Sequence, residues 1–389
     1  MLLAVLLIVG HACGAAARRV GLPRLTGYLV LGLILGDTGI GWLDASARDL
    51  LRPFIDVGLA LLLLELGQRL DLHWMRRERW LWVMAIGEIG LTWLLAFTAL
   101  KVFDFSHAAA AFLAAVVIST SPVVVMYMAR DEGADGQVTQ RVLALATLNG
   151  LAAFVLATLL LPLLHYPHDG GDPAAILRMV LHAAWRLAGS LLLGVVIFGF
   201  YRFCAGWYGK RPQARFVLAL GMVVVTVGLA DALDLSVLCA MLTIGVLVKN
   251  ADPHRRIGHV EFGFTSEVLC VILFIVAGAS AHFSGTPGVL GAAALLVALR
   301  LVAKLLPIYA IAPLTPLGLS RAGLVGMALM PLSGFTALVL IDPAAPAFAS
   351  DGRLIAVFLT AVAILEVIGP LLVQFAFRRA RESHATEES

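Results

Sequence analysis

Charge is what this sequence has least of. Asp, Glu, Lys and Arg make up only 14% of its 389 residues, while 61% are hydrophobic. A soluble globular domain carries nearly twice that share of charge. Regular alternation of apolar and polar residues is missing from the long apolar runs, which excludes a transmembrane barrel. Paired cysteine spacing is missing too. Cys13, Cys204, Cys239 and Cys270 lie in or beside apolar runs and read as small core residues that say nothing about redox compartment. HExxH and nucleophile–base motifs are absent, so the sequence gives no reason to expect an enzyme or a bound cofactor. The net charge of +3 describes basic loops rather than a nucleic-acid partner.

What is present is apolar sequence from end to end, with mean hydropathy +0.95. Runs of about 20 residues recur, each long enough to cross a hydrocarbon core. The fold class is therefore all-α and polytopic in the lipid bilayer. About 13 spans are expected, centred near residues 9, 31, 61, 92, 118, 151, 192, 223, 241, 273, 299, 331 and 366. The opening "MLLAVLLIVGHACGAAARRVG" lacks a basic region before its apolar stretch and is followed at once by another apolar run. It reads as a retained first span rather than a cleaved signal.

Most of the 28 Lys and Arg fall in alternate loops, as with Arg18, Arg24, Arg76, Arg130, Arg211 and Arg378. Basic loops stay in the cytoplasm, which puts the N-terminus outside and the C-terminus inside. The polar tail after about Phe377 is short and no soluble domain is expected beyond it. The outer loop "HYPHDGGDP" has two His and two Asp, enough to consider a metal, but its Gly and Pro density favours a solvated turn.

Two spans are interrupted at mid-depth. The fifth carries Ser119, Thr120, Ser121 and Pro122, and the twelfth carries Pro331, Ser333 and Gly334. Proline removes a donor and opens the bond to the residue four back, while Gly and Ser ease unwinding. In lipid, unwound backbone survives where it faces protein or a wet cavity. The two spans run in opposite directions. Interrupted helices at corresponding places suggest inverted repeats with a transport site between them, although each alone also reads as an ordinary proline kink.

The stretches "VGLPRLTGYLVLGLILG", "ALLLLELGQRLDL", "VVISTSPVVV", "LFIVAGASAHF" and "LRLVAKLL", in that order along nearly the whole chain, resemble the monovalent cation:proton antiporter superfamily. The branch with bacterial sodium and potassium exchangers is the most similar. The resemblance implies 13 helices in inverted repeats, two crossed broken helices, and a homodimer in a bacterial inner membrane. It implies a moving core of about residues 80–165 and 286–377 beside a dimerisation scaffold of about 1–70 and 210–283. A linker helix of about 174–206 joins them, and residues 378–389 form a short cytoplasmic tail. Exchange of Na⁺ or K⁺ for protons by an elevator step is the implied activity. The nucleotide-binding domain of the superfamily's larger potassium-efflux members is missing from the chain.

One departure matters. In the sixth span, "LALATLNGLAAFVLATLLLPLL", the superfamily has Asn-Asp or Asp-Asp, and the second residue binds cation and proton in competition. Here the pair is Asn149-Gly150. The resemblance also puts a lysine of the eleventh span opposite that lost acid, and Lys304 matches it, one turn after Arg300. Without the acid, Lys304 needs another partner or must itself carry the proton. Either cation can instead snorkel to a surface.

Three acids lie within spans: Glu88, Glu65 and Glu366. Glu88 leads as a substitute, because apolar residues flank it in a core span; an ion pair holding helices together is the competing reading. Glu65 reads as structural, and Glu366 as a possible partner of Lys304. Thr120 and Asn149 are candidate cation ligands beside unwound backbone, with Ser119 and Ser121 secondary; a hydroxyl bonding back to its own helix is the alternative. Two functional hypotheses follow. One is exchange with Glu88 or Lys304 replacing the lost acid. The other is a relative that has lost exchange and serves as a uniporter, a leak pathway or a sensing scaffold.

Overall fold

The computed structural model describes residues 2–103, 105–165, 173–208, 212–251, 263–281, 286–332 and 352–383. Among these residues the chain is helical, without strands. In order, the helices are α1 (Leu2–Arg19), α2 (Arg24–Leu35), α3 (Ala45–Arg69), the short α4 (Leu72–Arg77), α5 (Arg79–Val102), α6 (His107–Ile118) and α7 (Pro122–Asp131). They continue with α8 (Gln137–His165), α9 (Pro173–Tyr208), α10 (Pro212–Ala232), α11 (Val237–Asn250), α12 (Gly263–Ala279), α13 (Pro287–Ile311), α14 (Gly318–Ala328) and α15 (Gly352–Arg379). Eight spans among them are long and apolar enough to cross a bilayer, with α6 and α7 counted together, and three shorter apolar helices lie beside them. The protein is a multi-pass membrane protein, and every expected span centre falls on or beside a helix. The seventh span is one continuous helix, α9, and the turn at "ADALDLS" does divide α10 from α11, where Asp234 takes a left-handed φ of 51°.

Local chemistry sets the helix starts. Asp44, Asp71, Ser106, Ser121 and Ser236 each cap a helix by accepting a hydrogen bond from the backbone N–H three residues on. Such caps satisfy donors that a helix N-terminus leaves open. Ser121 corrects one expectation. Pro122 does not open a bond inside a continuing helix. It occupies the first turn of a new one, α7, behind the Ser121 cap, a place where its missing N–H costs nothing.

Helix packing falls into two sets. In the first, α1 lies on α2, α2 on α12, α3 on α11 and α12, and α9 on α10 and α11. In the second, α5 lies on α6 and α13, α6 on α8, and α13 on α14 and α15. Small residues let backbones approach closely in the first set: a Cβ on Gly67 of α3 would lie 2.8 Å from the Cα of Gly245 on α11. Such contacts supply association in lipid, where burial of apolar surface gives little.

The two sets meet along α7. Its Tyr127 packs edge-on against Tyr28 of α2 and Phe274 of α12, with centroids 6.5 and 5.2 Å away. At the far end of α7, Asp131 faces Arg18 and Arg24 at 3.5 and 3.7 Å, and Arg130 faces Glu65 of α3 at 3.5 Å. Arg24 also pairs with Glu267 at 2.9 Å, and Asp234 with His182 at 3.1 Å. Asp131, Glu65, Glu267 and Asp234 are thus each paired with a basic side chain. The four cysteines are free thiols. Ser333, Gly334 and the loop between His165 and Pro173 lie outside the described residues.

Candidate functional site

Between α6 and α7 the chain leaves helical geometry at Ser119, Thr120 and Ser121, and past α14 it does so again through Pro331 and Leu332. The two unwound stretches touch: the Ser121 N–H donates to the Pro331 carbonyl at 2.8 Å. The Thr120 hydroxyl donates across to the Leu329 carbonyl at 2.9 Å, bonding a different helix rather than its own. Gly369 of α15 seats against this point, where a Cβ would come within 2.9 Å of the Pro331 Cα.

Two half-helices therefore end here with carbonyls pointing into the protein. Each end carries roughly half a negative unit. Arg300 of α13 answers both. Its guanidinium donates to the Val117 and Ser119 carbonyls beside the end of α6, and to the Leu329 and Met330 carbonyls at the end of α14, the Ser119 contact being 2.7 Å. One full positive charge meets two half charges, and the sum is near zero. Arg300 is 2% exposed, so it does not snorkel.

One turn further along α13, the Lys304 ammonium donates to the Ile118 carbonyl at 3.0 Å and pairs with the Glu88 carboxylate of α5. Both side chains are sealed from solvent, at 0% exposure each. The Asn149 amide of α8 donates to the same Glu88 oxygen at 3.0 Å and to the Thr120 hydroxyl at 3.3 Å. Glu88, Thr120, Asn149, Arg300 and Lys304, drawn from four separate elements, thus form one connected cluster.

Three oxygens in this region have no partner: Oε2 of Glu88, Oδ1 of Asn149 and Oγ1 of Thr92. A buried polar atom without a hydrogen bond is costly. Thr92 lies one turn from Glu88 on the same face of α5 and was not evident from sequence. Elsewhere, Thr98, Thr147, Thr158, Thr226, Thr243 and Thr360 each bond the carbonyl four residues back. Thr92 does not, and its hydroxyl stays available. A carboxylate, an amide and a hydroxyl oxygen are the hard donors that alkali cations take.

Gly150 has room beside the cluster. A Cβ there would meet Pro122 at 3.7 and 3.8 Å and the Thr120 carbonyl at 3.9 Å, which are ordinary contacts. The remaining candidates stand apart. Ser119 contributes its carbonyl, and Ser121 its cap and backbone bond. Glu65 pairs with Arg130. Glu366 is not the partner of Lys304; α13 packs on the helices of both acids, and it is Glu88 of α5 that the ammonium meets. Among the described residues there is no cluster of three or more His, Cys, Asp or Glu suited to a metal ion.

Comparison with known proteins adds the following. Residues 3–378 match the family described as sodium/hydrogen exchanger, transmembrane. A 132-residue stretch is 27% identical to the Na(+)/H(+)-K(+) antiporter GerN of Bacillus cereus. The match spans 34% of this chain and only about a third, 34%, of that relative's length. Among solved structures, the sodium proton antiporter MjNhaP1 of Methanocaldococcus jannaschii at pH 8 superposes with a TM-score of 0.66 at 16% identity. It covers 96% of this chain and 98% of its own. An electron-microscopy structure of the same antiporter gives 0.66 at 15% identity, covering 98% and 94%. At this identity the likeness speaks for the fold.

Proposed function

From the premise that the chain belongs to the sodium/hydrogen exchanger family, we propose that it exchanges a monovalent cation, Na⁺ or K⁺, for protons, with Glu88 and Lys304 doing what the missing acid at residue 150 does in its relatives. The observation that carries this reading is the sealed Glu88–Lys304 pair with unpartnered oxygens of Glu88 and Asn149 beside it.

The argument is one of competition. A buried ion pair gains its Coulomb energy against a large desolvation cost, so a rival cation with better-placed ligands can replace the ammonium. A dehydrated cation held by Glu88, with Asn149 and Thr92 as further oxygen donors, leaves Lys304 as a charge with no counter-ion. Lysine then sheds its proton, which it does readily when buried, while arginine keeps its own. Cation bound means Lys304 neutral; Lys304 charged means cation released. Arg300 remains a fixed charge that neutralises the two helix ends.

Alternating access follows if the second helix set slides along the first in an elevator-type step. The contacts of Tyr127, Arg130 and Asp131 on α7 are the ones such a slide must part. In this reading the basic loops are cytoplasmic, the N-terminus is outside, and two copies associate through the first set. The protein is then a transporter in a bacterial inner membrane and not an enzyme. Gly150 favours the second reading, a family member that has lost exchange and acts as a uniporter, leak or sensing scaffold.

Proteoliposomes holding a pH dye separate the two. Under an inward Na⁺ or K⁺ gradient, exchange makes the interior alkaline, and both Glu88→Gln and Lys304→Gln abolish the signal. Cation uptake without a pH change supports uniport. An undiminished pH signal in Glu88→Gln would falsify the assignment of Glu88.

A further inference from the structure

The Thr120 hydroxyl sits where the unwound stretch after α6 meets the end of α14, and its whole bonding capacity is spent. A hydroxyl has one proton to give and two lone pairs to offer. The proton goes to the Leu329 carbonyl at 2.9 Å. The lone pairs receive the Asn149 amide nitrogen at 3.3 Å and the Arg300 guanidinium at 3.4 Å. Both of those neighbours present N–H groups, so neither can take the proton in place of Leu329. Thr120 is fully buried, and no lone pair is left on it for a cation.

Asn149 is the reverse case. Its amide offers two N–H donors and one carbonyl oxygen. The nitrogen serves Glu88 at 3.0 Å and Thr120 at 3.3 Å, while Oδ1, on an equally buried side chain, bonds nothing. Turned over, the amide would set Oδ1 against a carboxylate oxygen and against a hydroxyl oxygen whose proton is engaged elsewhere. Oxygens that face each other without a proton between them repel. Glu88 alone would hold one N–H and let the amide pivot about that bond. Thr120 takes the second N–H and fixes the plane.

We propose that Thr120 is a positioning residue rather than a cation ligand: by holding the second amide N–H, it keeps Oδ1 of Asn149 turned toward the cation that Glu88 binds. The relay runs from the Leu329 carbonyl through the Thr120 hydroxyl to the Asn149 amide. The end of one broken helix thereby orients a ligand on α8. This rests on the exchange reading above.

The test measures the half-saturating Na⁺ or K⁺ concentration and the maximal rate of exchange in proteoliposomes. Thr120→Val keeps the shape and frees the amide, and Arg300 still bonds the Leu329 carbonyl. It is expected to raise the half-saturating concentration about 3- to 10-fold, the scale of one hydrogen bond, with the maximal rate changed far less. Thr120→Ser restores the hydroxyl and the wild-type value. In an Asn149→Leu background, which has no amide to orient, Thr120→Val is expected to add nothing further. An equal rise in both backgrounds would make Thr120 a ligand itself and overturn the proposal, as would an unchanged concentration in Thr120→Val or a fall in rate alone. Cation-dependent thermal stabilisation of the purified protein gives the same series without transport, and covers any variant too slow to assay. If the wild type is stabilised by cation but exchanges none, the exchange reading has failed and the stabilisation series alone decides the role of Thr120. A wild type that is neither stabilised nor active overturns both.

Discussion

Removing one member of the Glu88–Lys304 pair strands the other in a site without water. Losing a partner in this way costs about 3–5 kcal/mol, whereas losing both is far milder. The double variant Glu88→Gln/Lys304→Gln is therefore expected to unfold in detergent at a higher temperature than the additive sum of the two single variants. Strict additivity would mean that the pair is not coupled. Thr92 invites a second substitution. Thr92→Val keeps the shape and removes one oxygen, so it is expected to raise the cation concentration for half-maximal exchange by about 3- to 10-fold, the worth of one hydrogen-bond-scale contact. Thr92→Ser should retain most of the affinity. Glu88 and Lys304 were legible as charges within apolar runs. Thr92 was not, because a helical threonine ordinarily bonds its own backbone and nothing in its neighbours reveals that this one does not.

Among the helices, the interrupted pair depends on groups outside it. Arg300 binds the carbonyl ends of α6 and α14 together, so Arg300→Gln leaves several buried carbonyls unanswered. We expect that variant to lose at least about 3 kcal/mol and to be recovered poorly from the membrane, with Arg300→Lys intermediate because lysine lacks the planar fork. Gly150→Asp sits at the opposite extreme. The backbone leaves ordinary contact distances there, so the variant should fold, and its new carboxylate should draw Lys304 from Glu88. The pH profile of exchange is expected to shift, and the sensitivity to Glu88→Gln to fall. The sequence marked both interruptions through their Pro, Ser and Thr content. It did not distinguish a kink from a fresh helix start, although Ser121-Pro122 is a capping residue followed by a first-turn proline.

At the scale of the whole molecule, the end of the chain is tied back to the broken helix. Glu132, just past α7, accepts from Arg378 at 2.8 and 2.9 Å, from Gln374 at 2.8 Å and from Ser383 at 2.8 Å. Glu382 caps α8 through Val138 and Thr139 at 2.8–2.9 Å. Burial pushes the Glu132 carboxyl upward, but these donors outweigh it and hold the group below the ordinary glutamate value. A lowered native value means that this stabilisation is complete above the ordinary glutamate range and is lost as pH falls through the native one. Thermal unfolding is therefore expected to show Glu132→Gln as less stable than wild type at neutral pH, with the difference shrinking toward acid. A constant difference across pH would remove the carboxylate from the account.

Hydropathy alone determined that the chain is an all-helical, multi-pass membrane protein. A backbone in hydrocarbon must bond within itself, so the element type follows from composition. The same logic exposed the two interruptions and the charges worth suspecting. Which charges meet was decided only by the tertiary structure. α13 lies against the helices of both Glu88 and Glu366, and Lys304 pairs with Glu88, a contact between residues more than two hundred positions apart. Local sequence carries no record of such a neighbour: an acid in an apolar span reads the same whether a lysine faces it or nothing does.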